Sequence, residues 1–275
     1  MTAKSADFPK CVGDPVRILQ ITDFHIRNQP DETLLGVNTQ RSFEATLAAA
    51  LAEGPPPDIA LLTGDLAQDA SAATYERLKK SLSSLPCPAY CLPGNHDDSG
   101  LMARHLAHPP LHYQPQLVIG DWQIICLDST IPHSPYGRLA EDQLALLKRC
   151  LTDAPDLYAL VTLHHHPIPS GSAWMDTMQL ENADVFLDLL ADHGNVRGVV
   201  FGHVHQTLES KVRGLTLLGT PSTCFQFKPL QEQFALDALP PGYRWIELHA
   251  DGRITSEVKR LTTLPEGLDV KSIGY

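Results

Sequence analysis

Two periodicities alternate along the chain. Short apolar runs rich in β-branched residues, the signature of buried strands, occur at 16–22 (VRILQIT), 58–63 (DIALLT), 89–92 (AYCL), 123–128 (QIICLD), 157–163 (LYALVTL) and 196–201 (VRGVVF). Stretches with helical spacing lie between them at 39–53, 71–84, 137–151 and 181–194. Gly54 and the following Pro-Pro-Pro end the first of these. Strands alternating with helices predict an α/β fold, whereas beyond residue 206 the pattern predicts only short strands and turns. With no repeat and no low-complexity linker, residues 1–275 are expected to form a single domain, with a strand-rich C-terminal part at 207–275.

Five of the strand-like runs finish in metal-ligand residue types. These are Asp23 and His25 in DFH, Asp65 and Asp69 in GDLAQD, Asn95, His96 and Asp97 in GNHD, His164 to His166, and His203 and His205 in GHVH. In layered α/β folds, ligand sites form at the carboxyl ends of strands, so five such ends can converge on one crevice. Asp23 and His25 lie two apart, as do His203 and His205, and extended backbone projects such pairs to one side. Gly64, Gly94 and Gly202 permit tight turns or close backbone approach beside them. Carboxylate, amide and imidazole donors without thiolate suit Fe, Mn, Co, Zn or Mg. The competing reading makes these residues polar caps of turns.

In this order the five blocks resemble those of the calcineurin-like binuclear metallophosphoesterases, over residues 16–206. The resemblance implies a metallophosphoesterase fold of two packed β-sheets flanked by helices, holding two divalent or mixed-valence metal ions. It assigns Asp23, His25, Asp65 and His205 to one ion and Asp65, Asn95, His165 and His203 to the other, with Asp65 bridging. The family's histidine stands two residues before a proline, and Pro167 puts it at His165, leaving His164 and His166 outside the ligand set. His96 is expected to be catalytic, with Asp97 orienting it and raising its basicity, and His25, Asp65, Asn95, His96 and His205 are expected to contact substrate. The second block is one residue longer than the family's G-D-x-x-D, which leaves Asp69 without a role. The expected reaction is attack on phosphorus by a hydroxide held between the two cations, with His96 protonating the leaving oxygen. Two divalent cations, the Asp23 and Asp65 carboxylates, that hydroxide and a phosphodiester monoanion together sum to zero charge, which favours diesters.

A narrower resemblance joins LLGVNT (34–39), HHHPIPSG (164–171), TPSTCFQFKP (220–229) and ELHADG (247–252) to bacterial cyclic-AMP phosphodiesterases. It implies hydrolysis of 3′,5′-cyclic AMP to 5′-AMP. The alternatives are another phosphodiester or nucleotide-sugar pyrophosphate hydrolase on the same site, or a metal-binding scaffold without catalysis. Phe225, Phe227 and His166 are candidates to stack on the base, against a core role, and Arg27 and Asn28 to reach phosphate or ribose, against an exposed loop.

Composition narrows the partners. A net charge of −11 and a pI near 5.5 disfavour nucleic acid and anionic membrane surfaces, leaving a small-molecule cyclic nucleotide. The first twenty residues contain no apolar h-region and no stretch is long enough to span a bilayer, so a cytoplasmic protein is expected. The six cysteines, Cys11, Cys87, Cys91, Cys126, Cys150 and Cys224, are scattered and read as reduced, buried thiols rather than a disulfide or zinc framework.

Overall fold

In the computed structural model, which describes residues 14–274, every apolar run forms a strand. Strands β1 (Val16–Ile21), β2 (Ile59–Thr63), β3 (Ala89–Leu92) and β4 (Leu111–His112) lie parallel, side by side. A second sheet contains β5 (Gln116–Ile119), β6 (Trp122–Cys126), β7 (Tyr158–Leu163), β8 (Val196–Phe201), β9 (Leu208–Val212) and β10 (Leu215–Gly219), in the order β5-β6-β7-β8-β10-β9. Its four inner strands are parallel and its two edges antiparallel. A short ribbon follows, β11 (Gln226–Phe227) with β12 (Leu236–Asp237).

The chain then returns to the first sheet. Strands β13 (Gly242–Leu248) and β14 (Ile254–Arg260), seven residues each, complete the order β14-β13-β1-β2-β3-β4, with β13 antiparallel to β1. The C-terminal part is therefore more than short strands and turns. Arg244 interrupts the apolar run of β13 and hides it, yet its side chain is wholly buried, bonded to Glu209, Ser256, Thr220 and the Gly219 carbonyl.

Alternation along each strand divides the core into layers. In β1, Val16 and Ile18 face the second sheet with Leu61, Leu160 and Val200, while Leu19 and Ile21 face helices. Those helices are α1 (Thr39–Ala52), α2 (Ala72–Leu82) and α3 (Ser99–His105), which bury Phe43, Tyr75 and Met102 on the first sheet. On the second sheet, α4 (Glu141–Asp153) and, after the single turn α5 (Ala173–Asp176), α6 (Ala183–Ala191) bury Leu147 and Phe186. Asn38, Ser71 and Asp98 cap α1, α2 and α3 through their side-chain oxygens.

The described cysteines are free and buried, and Cys11 lies outside the described residues. Among the described residues no helix is long and apolar enough to cross a membrane. Leu160 is fully buried between the two sheets. Leu160→Ala should cost about 2–5 kcal/mol in urea denaturation while leaving the metal content of the folded protein unchanged.

Candidate metal centre

Strands β1, β2 and β3 of one sheet and β7 and β8 of the other bring their carboxyl ends together. Asp23 and His25 follow β1, Asp65 follows β2, Asn95 and His96 follow β3, His164 is the first residue past β7, and His203 and His205 follow β8. The paired residues are not on extended backbone, as their spacing predicts. Asp23 (φ 55°), His25 (48°), Asp65 (49°), His203 (69°) and His205 (46°) are all left-handed, a conformation costing about 1–2 kcal/mol per non-glycine residue. Sharp turns, rather than strand pleat, aim both members of each pair inward. Backbone bonds between the loops hold the turns, Asp23 N donating to Gly64 O at 3.0 Å and His25 N to Asp65 O at 2.9 Å. Glycine is required at two contacts: a methyl on Gly64 (φ 93°) would strike the His164 ring, and one on Gly94 would strike the Asp65 carboxylate.

The result is three overlapping constellations, of which His25, Asp65 and His96 form the one that links the other two. Donor atoms of Asp23, His25 and His205 lie within 4.8 Å of one another, as do those of Asp65, His164 and His203. Asp65 Oδ2 stands between, 3.6 Å from His25 Nε2 and 3.4 Å from His164 Nε2. The Asn95 amide oxygen is 3.2 Å from His164 Nε2, and His203 Nδ1 is also 3.2 Å from that atom. The backbone amide of His203 donates to both oxygens of Asp23 at 3.1 Å, joining the two sheets.

Bonds on the far sides of the rings decide which nitrogen faces inward. His205 Nδ1 donates to the Phe225 carbonyl at 2.9 Å and His164 Nδ1 to the Thr63 carbonyl at 2.9 Å; a carbonyl only accepts, so both Nδ1 atoms carry hydrogen. His25 Nδ1 donates to Gln68 Oε1 at 2.7 Å. Burial drives His25 down to about 3 despite Asp65, so its ring is neutral and presents a bare Nε2 lone pair to His205 Nε2, 3.1 Å away. That arrangement needs a proton or a metal cation between the two nitrogens. Although burial opposes charge, Asp65 brings His164 up to about 9, and His164 in turn helps hold Asp65 well below the carboxylate range. These donors therefore fit divalent cations, which would replace the shared protons.

Residues 16–207 match the calcineurin-like phosphoesterase family. The chain belongs to this family. It is 44% identical over 261 residues to the 3′,5′-cyclic adenosine monophosphate phosphodiesterase CpdA of Escherichia coli (strain K12), covering 94% of this chain and 95% of that protein. Identity to the protein of the same name from Haemophilus influenzae is 43%, with the same coverage. A dimetal phosphatase from Danio rerio has a similar fold, with a TM-score of 0.57 at 14% identity, covering 90% of this chain and 99% of that one.

In this calcineurin-like phosphoesterase both His164 and His165 of the histidine triplet adjoin the donor cluster. His164, the first residue past β7, lies 3.4 Å from Asp65 and 3.2 Å from the Asn95 amide oxygen, and the His165 ring, two residues before Pro167, packs on His203 with centroids 4.8 Å apart. His165 Nδ1 is paired with Ser129 Oγ at 2.8 Å. Asp97 also departs from its expected part. Its carboxylate accepts from the amides of Leu66, Ala67 and Gly94 and from the Tyr75 hydroxyl, stapling the β3 loop to the β2 loop with no bond to the His96 ring. His96 is placed instead through its backbone amide, which donates to Asp65 Oδ1 at 2.9 Å.

The extra residue of the second block explains itself. Gln68 reaches His25, and Asp69 pairs with Arg27 at 3.4 Å, well outside the cluster. Asn28 accepts from Ser71 and Thr74, a loop contact. Of the expected substrate contacts, Asp65, Asn95 and His96 line a cleft of about 450 Å³ together with His203, whereas His25 and His205 are buried and are not among its lining residues. Phe225 is fully buried against the His25 ring, and His166 is buried, 3.6 Å from Asp176, so neither offers a face to a base.

Asp97 yields a pH prediction for the metal-free protein. Burial, reinforced by Asp65, raises it to about 6 from an ordinary carboxylate value of 3.8. The native state thus holds a proton that the unfolded chain has released, and this group makes stability fall as pH rises through that window. Asp97→Asn should lower overall stability by about 2–3 kcal/mol through its mismatched donors, and should remove this fall, measured as the difference in urea denaturation between pH 4 and pH 7.

Proposed function

We propose that this calcineurin-like phosphoesterase hydrolyses 3′,5′-cyclic AMP to 5′-AMP at a centre of two divalent cations. The observation that carries the chemistry is the pair of adjoining buried donor sets, one of Asp23, His25 and His205 and one of Asp65, His164 and His203, with Asp65 also 3.6 Å from His25 and lining an open cleft. The nucleotide is supported by 38–44% identity, over 94% of the chain, to proteins named as cyclic-AMP phosphodiesterases. Asp23, His25 and His205 would hold one cation and Asn95, His164 and His203 the other, with Asp65 within reach of both sets. When bound, the cations supply Lewis acidity and an activated water.

The chain's own groups do the rest. Thr63 O, Phe225 O and Gln68 fix three imidazoles with Nε2 inward, so the donor set is oriented before any ligand arrives. The carboxylates of the two sets are Asp23 and Asp65, so two divalent cations leave a net positive charge suited to a monoanionic diester. His96, on the cleft wall and tied to Asp65 through its amide, delivers a proton to the departing 3′ oxygen of the ribose. Departure of that oxygen leaves the phosphate on the 5′ carbon.

Two experiments test this. Elemental analysis should find two metal ions per chain in the parent and in His165→Ala, and fewer in His164→Ala; the opposite pattern would return the ligand to His165. Chromatography should show cyclic AMP converted to 5′-AMP, with chelation abolishing turnover and His96→Ala lowering kcat by roughly 10²- to 10⁴-fold at unchanged metal content. Survival of cyclic AMP, or release of 3′-AMP, would overturn the assignment.

A further inference from the structure

We infer that the apolar half of the cleft, walled by Trp174, Met178 and Phe234, is the subsite for the nucleotide base, and that a large flat ring is selected there by stacking. This rests on the phosphodiester reading above and adds to it the part of the protein that recognises the nucleoside. The cleft is continuous: one end presents Asp65, Asn95, His96 and His203, and the other presents these three side chains above Phe227. A phosphate on the polar end places whatever it carries against the apolar wall.

The wall is built to receive something. Trp174, Met178 and Phe234 are half-buried, while Met175 and Phe227 behind them are almost wholly buried and belong to one apolar cluster. Trp174 is clamped edge-on by Phe227 (centroids 5.0 Å, 83°) and by Phe234 (5.2 Å, 68°), so its orientation is set without a ligand. Phe227 also stacks on the His205 ring at 4.1 Å and 17°, which ties the wall to the donor cluster. The turn that carries Trp174 is tied as well: Asp176 accepts from Ser170 and Gly171 and faces His166, whose ring stacks on His203 at 5.5 Å. Across the cleft stands the loop of His133 and Pro135, with His133 held at φ 61°.

Charge decides which occupant this is. Asp65 is the only lining residue that is a carboxylate, lysine or arginine among the described residues, so the apolar end has no lysine or arginine for a second phosphate. A nucleotide-sugar pyrophosphate would leave a charged phosphate or a hydroxyl-rich sugar desolvated there, at a cost a neutral aromatic base does not incur. Base-on-aromatic stacking tolerates different bases, and its strength follows ring area.

The test uses the metal-loaded full chain with cyclic AMP as substrate and two inhibitors, 5′-AMP and inorganic phosphate. Trp174→Leu should raise KM for cyclic AMP and Ki for 5′-AMP by roughly tenfold or more, leave kcat and Ki for phosphate close to the parent values, and be largely rescued in Trp174→Phe. If Trp174→Leu does not fold, Phe234→Leu approaches the same wall from the ribbon and should show the same split. An unchanged KM in an active, folded variant overturns the subsite, as does a parallel rise in Ki for phosphate, which would mean that the donor cluster itself was disturbed. A parent that does not cleave cyclic AMP sinks the activity instead, so the two failures are separable.

Discussion

Lone pairs and carboxylates packed together away from water are the constraint on which this structure turns. His25 and His205 face each other through Nε2 at 3.1 Å, and Asp65 lies within 3.6 Å of both His25 and His164. Such an assembly is repulsive unless positive charge enters it, whether as protons or as metal ions. With two cations in place, the same crowding becomes coordination, and the groups that fix the outer nitrogens have nothing further to rearrange.

Holding that assembly requires a stiff frame, and the paired sheets supply it. Asp23, Asp65 and Asn95 come from one sheet, and His164, His203 and His205 from the other. Directly beneath, Gln20 donates to Thr63 Oγ1 and to the Phe201 carbonyl and accepts from Thr220, which accepts in turn from the buried Arg244. This chain of bonds spans the two strand ends that launch Asp65 and His203. A polar ladder inside an apolar layer fixes relative position in a way that non-directional packing cannot. It supports five left-handed residues whose conformational cost must be met elsewhere.

Much of this was legible in the chain, because strands buried on both faces are continuous apolar runs and their polar terminators stand out against them. The runs at 16–22, 58–63, 157–163 and 196–201 locate strand ends to within a residue or two, and the blocks after them hold the donors. What was not legible depended on direction. Three consecutive histidines offer identical chemistry, and their spacing does not reveal that His164 and His165 both adjoin His203 while His165 Nδ1 also meets Ser129. Asp97 beside His96 reads as a partner, but adjacent side chains diverge, and four donors from elsewhere claim its carboxylate. Gln68, the Thr63 and Phe225 carbonyls and the wall at Trp174 leave no pattern because each acts through a long-range contact.

The cross-sheet origin of the donors has an energetic consequence. A ligand that binds the folded state alone stabilises it by mass action, and here the bound ions would bridge elements that otherwise meet only through packing and a few bonds such as His203 N to Asp23. Metal binding, sheet–sheet registration and the shape of the cleft are thus coupled. Phe227 extends the coupling beyond the donors, since the ring that backs His205 is also the ring against which Trp174 is set. A shift of β8 relative to β1 would therefore part the donors of the two sheets and carry the apolar wall along with His205. One packed set of aromatic rings, Phe227 between His205 and Trp174, thus joins the donor cluster to the apolar wall of the cleft.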